Sequence, residues 1–176
     1  MLEINVVTGE SYDETDSKFK TDQTYRVELE HSLVSVSKWE SLWEIPFLGK
    51  DDKTSEQTVS YVRMMIRGDD PPPEVFQKLL TSHLPEIKTY IEAKMTATTV
   101  AEAPGSSGRP EIITSELIYF WMISMKIPVQ FQDWHLNRLI TLIRVITLKN
   151  APKKKMSMAD RKALNRQRLA QHNTRG

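Results

Sequence analysis

The 176-residue chain contains no cysteine. That excludes a disulfide framework, a thiol nucleophile and any zinc site with thiolate ligands, and it fits a reducing compartment. Glycine is scarce, with six residues in all, so loops that bring backbone close to a phosphate have little to be built from. Neither GxGxxG, the phosphate-loop pattern nor GxSxG occurs. Long apolar runs are also missing. The most apolar stretch, residues 136–148, carries Asn137, Arg138 and Arg144 and is too short to cross a bilayer. The N-terminal MLEINVVTGESYDETD is acidic and does not read as a signal peptide. A formal net charge of +1 argues against a protein that coats nucleic acid with its whole surface. What is present is 39% apolar and 27% charged residues, enough for one domain, or one domain plus an appendage, around a real core. The expectation is a soluble, intracellular, non-enzymatic protein.

The charge is unevenly placed. Residues 153–176 hold eight of the 24 basic residues (Lys153, Lys154, Lys155, Arg161, Lys162, Arg166, Arg168 and Arg175) but only one of the 23 acidic ones, Asp160, for a net +7. The preceding 152 residues keep 16 basic and 22 acidic residues, a net −6. An acidic body ending in a basic tail has the form of an interaction segment, and equally of a solvated terminal helix. The tail lacks interleaved aromatics and any DNA-reading motif, so binding of nucleic acid through it would be non-specific and salt-dependent.

Apolar alternation at Leu2, Ile4 and Val6, and again at Tyr25, Val27 and Leu29, predicts two strands; the polar stretch 9–23 between them reads as a loop. Helical spacing then takes over. Ser32 caps a helix with Val36, Trp39, Leu42 and Trp43 on one face, ending at Ile45 before Pro46. Thr54 and Gln57 have capping-box spacing ahead of a stripe of Val59, Val62, Met65 and Ile66, closed by Gly68. DDPPPE opens a helix lined by Val75, Phe76, Leu79 and Leu80. Pro85 opens another with Ile87, Tyr90, Ile91 and Met95. Residues 101–110, AEAPGSSGRP, read as a flexible loop. Leu117 to Met125 is apolar almost all round, which suits the centre of a bundle or an interface. Pro128 breaks it. Asp133 caps a long helix with Leu136, Leu139, Ile140, Ile143 and Ile146 inside, and Ser157 caps a last, polar one.

No catalytic constellation emerges. His31, His83, His135 and His172 fall in separate elements without HxxxH spacing, so no metal and no cofactor is expected. The segment WHLNR, residues 134–138, permits a small polar site with Asp133. The alternative places Trp134 in the core with His135 and Arg138 at the surface, and no nucleophile accompanies them. Trp39, Trp43, Trp121 and Trp134 read as core anchors or as interface hot spots, and methionines such as Met122 as core or as adaptable contact surface.

Four segments carry a likeness: HSLVSVSKWESLWEIPFLG (31–49), DDPPPEVF (69–76), YIEAKMTAT (90–98) and, above all, ELIYFWMISMKIPVQFQDWHLNRLITLIRVITLKNAPKKKMS (116–157). Over residues 25–176 the chain resembles the tail assembly chaperones of tailed bacteriophages, small proteins encoded just before the tape measure protein. The resemblance implies a non-enzymatic factor in the host cell cytoplasm. It would hold the tape measure protein soluble and engage the tail tube protein; self-association is expected separately, because the apolar helices exceed what a small bundle can hide. The resemblance also implies a longer frameshifted form in many phages, and the run Lys153–Lys155 is compatible with a slippery site. The candidate partner-binding residues are Trp39, Trp43, Trp121, Met122, Trp134, Arg138 and Arg144, with the basic tail Lys153, Lys154, Lys155, Arg161, Lys162, Arg166 and Arg168.

The predicted fold is α+β and mainly α: an N-terminal β ribbon (1–31), a helical body (32–150) and a basic C-terminal helix (151–176). Rival readings are a structural protein of the virion neck or tail, and a nucleic-acid-associated protein acting through the tail.

Overall fold

A computed structural model of the chain describes residues 1–13, 18–99, 112–151 and 158–173. The fold is α+β and mainly α, in two compact units, Met1–Ile146 and Thr147–Gly176.

The first unit opens with an antiparallel ribbon of β1 (Leu2–Asp13) and β2 (Lys18–Leu29). The alternation sets its faces. Ile4, Val6, Val27 and Leu29 are buried, while Arg26 on the opposite face lies 2.7 Å from Glu3 and 2.9 Å from Glu28. The stretch 9–23, expected as a loop, is largely strand: the register set by Leu2↔Leu29 continues unshifted through Glu10↔Thr21 to Asp13↔Lys18. Once the apolar half fixes the register, the backbone ladder extends through polar sequence, because a ribbon needs apolar alternation only where one face meets a core. Among the described residues one rung is missing, between residues 9 and 22, where Gly9 has φ 84°.

Helix α1 (Leu33–Trp43) starts where Ser32 and Ser35 form a reciprocal capping box. It ends at Trp43, two residues before Ile45, because Glu44 adopts a left-handed conformation with φ 54°. The buried face runs through Leu33, Val36, Trp39 and Glu40, so Leu42 turns out to solvent, against the expected stripe. Helix α2 (Ser55–Met65) starts as predicted: Gln57 N donates to Thr54 Oγ1 at 3.2 Å and Thr54 N to Gln57 Oε1 at 2.9 Å. Replacing Thr54 with alanine should lower stability by about 1 kcal/mol, read as a shift in the urea midpoint without a change in slope. An unchanged midpoint would show the cap to be dispensable.

Helix α2 stops at Met65 rather than at Gly68, and the cause is tertiary. Ile66 leaves the helix to bridge Leu29, with Glu30 N donating to Met65 O at 2.8 Å and Arg67 N to Glu28 O at 2.9 Å. Val59, expected in the apolar stripe, is exposed, because the buried face of α2 runs through Tyr61, Val62 and Met65. Helices α3 (Pro73–Ser82) and α4 (Leu84–Glu92) each begin with a proline in the first turn. They bury Val75, Phe76 and Leu79, and Ile87 and Tyr90. Met95, expected on the inner face of α4, lies beyond its end and is exposed.

Helix α5 (Ser115–Ser124) is followed by a 3-10 turn, Val129–Asp133, and then by α6 (Leu136–Asn150). Asp133 belongs to the 3-10 turn and does not cap α6. The start of α6 pairs instead with the start of α1, through a Ser32↔His135 bridge and a bond from Leu136 N to His31 O at 2.7 Å. Leu136, Leu139 and Ile143 enter the core as expected. The second unit begins within α6 and contains helix α7 (Met158–Asn173). The predicted loop 101–110 and the proposed cap Ser157 lie outside the described residues.

Candidate partner-binding surface

Two features stand apart from ordinary packing. The first is a buried polar network where the chain entering α1 meets the chain entering α6. His31 is 2% exposed and His135 4%; their rings meet edge-on with centroids 5.0 Å apart. His31 Nδ1 faces the Tyr61 hydroxyl, which also lies 3.3 Å from Ser35 Oγ. His135 Nδ1 accepts from Asn137 N at 3.3 Å, so its Nε2 carries the proton and donates to Tyr90 O at 3.0 Å. Tyr90 donates to Glu30, whose other oxygen lies 2.9 Å from the Met1 amino group.

Burial, reinforced by His135, holds the His31 imidazole down at about 3. Burial also lowers His135, against the opposing pull of the Tyr90 carbonyl and Glu30. Burial raises the Tyr61 and Tyr90 phenols. The side chains of His31, Ser35, Tyr61, Tyr90, Glu30 and His135 all have partners inside the core, and Asn137 also lines a surface cleft with Arg144. This arrangement cross-links α1, α2, α4 and α6. Among the described residues no three histidine, aspartate or glutamate side chains converge as metal ligands.

The sequence reading of WHLNR is therefore reversed in part. His135 is the buried member, and Trp134 is half-buried. Its ring stacks on Phe131 at 4.1 Å and lies under the Arg138 guanidinium at 3.9 Å. The reversal follows from the late start of α6: with Leu136 as its first residue, His135 sits at the cap and faces α1.

The second feature is α5. Ile118 and Met122 form its buried face together with Ser115. Leu117, Tyr119 and Trp121 are partly covered, with the Tyr119 hydroxyl 3.0 Å from Gln132 Oε1. The outer face is Glu116, Phe120 and Ile123, at i, i+4 and i+7. Phe120 is 61% exposed and Ile123 77%. A helix at the centre of a bundle would leave no such face, so that expectation is not met. Phe120 and Ile123 lie one turn apart on that face and form a small exposed apolar pair.

The other candidates scatter. Trp39 and Met122 are core residues. Trp39 and Trp43 tie α1 to α2, donating to Gln57 O at 2.9 Å and Ser60 Oγ at 3.0 Å. Trp121 is half-buried, and Arg138 and Arg144 are exposed. Arg144 lines a cleft with Lys94, Thr98, Asn137 and Thr141. In the second unit Lys162, Arg166 and Arg168 are exposed along α7. Lys153–Lys155 and the Arg161 side chain lie outside the described residues. Phe120 and Ile123 were not singled out from sequence, although the lack of a polar face between Leu117 and Met125 was the available signal.

Compared with known proteins, the chain matches no family model, no curated protein and no solved structure.

Proposed function

We propose that this chain is a non-enzymatic binding protein that takes up a partner on the apolar face of α5, and that it serves as a tail assembly chaperone of a tailed bacteriophage. The observation that carries the binding role is the exposed pair Phe120 and Ile123, one turn apart and bordered by Glu116. Such a face fits an amphipathic helix laid against it, the chemistry expected of a tape measure protein. The phage assignment rests on the sequence likeness of residues 25–176. In this reading the protein acts in the host cytoplasm, self-associates, and leaves before the particle is complete.

The test is capture from nuclease-treated, phage-infected cells, with bound proteins and purified virions analysed by mass spectrometry. Recovery of the tape measure protein, with this chain missing from virions, is expected. Finding the chain as a fixed virion component without such capture favours a neck or tail structural role instead. The double variant Phe120→Ser, Ile123→Ser should reduce capture at least tenfold. Its thermal midpoint should stay within a few degrees of the parent, because exposed positions change stability by roughly 0.5 kcal/mol or less. Unchanged capture by that variant would remove α5 from the proposal.

A further inference from the structure

The outer edge of β2 is a second, separate surface. In an antiparallel ribbon, alternate residues of a strand turn their N–H and C=O groups away from the partner strand. Glu28 and Glu30 are two such residues, since Glu28 O accepts from Arg67 N and Glu30 N donates to Met65 O. The period of two makes Arg26 and Thr24 the next in line, with Tyr25, Val27 and Leu29 bonded inward to β1. A third strand therefore begins at Met65–Arg67 and stops. Gly68, at φ 88°, turns the chain away, and the edge at Thr24 and Arg26 has no backbone partner among the described residues.

Where that third strand would continue there is a cleft of about 410 Å³. One wall is Tyr25–Glu28; the other is formed by residues 69–72, including Asp69 and Pro72. The cleft therefore offers the free β2 edge to an extended chain passing beside residues 69–72. Its charge is lopsided. Arg26 is held by Glu3 and Glu28, Arg67 by Asp133, and Asp70 by Arg63. Asp69 has no ion-pair partner among the described residues.

We infer that this cleft binds an extended segment of a partner protein by strand addition, and that the segment carries a positive side chain facing Asp69. The backbone edge supplies affinity and the acidic wall supplies the sign of the charge, which is how strand-addition sites divide their work. The site is independent of the α5 face, so its failure leaves the proposed function standing.

The test uses the full chain and two acetylated, amidated heptapeptides that alternate valine with lysine or valine with glutamate, followed by fluorescence anisotropy. The lysine peptide is expected to bind at least tenfold more tightly than the glutamate peptide and to protect the Thr24 and Arg26 amides from hydrogen exchange. Thr24→Pro removes an outward N–H without breaking a ladder bond, a change an edge strand tolerates, and should weaken binding at least tenfold. Asp69→Asn should narrow the lysine preference to about threefold or less, and it serves as the deciding variant should Thr24→Pro unfold. The inference is overturned by absence of lysine-peptide binding, by equal binding of both peptides, or by indifference to both variants. It is also overturned by a dimer whose Thr24 and Arg26 amides are already protected without peptide, since a second copy would then occupy the edge.

Discussion

Replacing Glu40 with alanine is expected to lower the free energy of unfolding by about 3–5 kcal/mol, a large share of the stability of an ordinary domain. Glu40 is buried near the end of α1, and both carboxylate oxygens are engaged. Oε1 accepts from Phe47 N at 2.7 Å and Oε2 from Ser115 N at 2.7 Å. One side chain thus fastens the loop after α1 and the first residue of α5, which lies 75 positions away. Alanine would strand two buried amide donors, each at about 1–3 kcal/mol. Glu40→Gln keeps one acceptor and turns an N–H₂ group towards the other donor, so it should fall between wild type and alanine. Glu44→Ala, at the exposed end of the same helix, is the control and should cost far less. Urea unfolding of the three variants decides the matter. A loss below about 1 kcal/mol for Glu40→Ala would mean that water replaces the carboxylate and that α5 is held mainly by Ile118 and Met122.

Stability should also fall steeply as the solution is acidified below pH 6.5. The His31 imidazole is held at about 3 in the folded chain against about 6.5 when unfolded. The neutral form is the native one, so the stabilisation is complete above pH 6.5. Between pH 6.5 and 3 the unfolded state binds the extra proton, and stability drops by about 1.4 kcal/mol per pH unit for this one group. At pH 4.5 the loss from His31 alone is roughly 2–3 kcal/mol, and His135, lowered for the same reason, adds to it in the same direction. Urea midpoints measured from pH 7.5 to 4.5 should trace this slope. In His31→Gln the slope should be visibly shallower, even if the variant starts from a lower value at neutral pH. A parallel slope in that variant would assign the acid sensitivity to groups other than His31, His135 among them.

Neither of these two sites is announced by the sequence, whereas the local features of the fold are. Ser32, Thr54, Pro73 and Pro85 were readable as helix starts because capping and first-turn chemistry are local: the donors being satisfied lie within three residues of the cap. The alternation of Leu2, Ile4 and Val6 with their charged neighbours, and the helical spacing of Leu136, Leu139 and Ile143, were readable because one buried face imposes a period. The α5 face was half legible. The missing polar side between Leu117 and Met125 signalled a bundle centre or an interface, and the exposure of Phe120 and Ile123 speaks against the bundle centre.

Sequence by itself therefore determined the mainly helical α+β class, the β ribbon, the starts of α1 to α4 and the acidic body with its basic end, because each depends on neighbours in the chain. Tertiary structure decided where α2 stops, since Ile66 gives up a helical turn to bridge Leu29. It decided that His135 rather than Trp134 goes inside, since α6 begins against the start of α1. It decided that Glu40, one more acidic residue on an amphipathic helix, becomes the clasp between α1 and α5. The physical reason is common to all three. Buried hydrogen-bond groups must find partners wherever the fold brings them, and partners 30, 45 or 75 residues away leave no periodic trace in the sequence around either end.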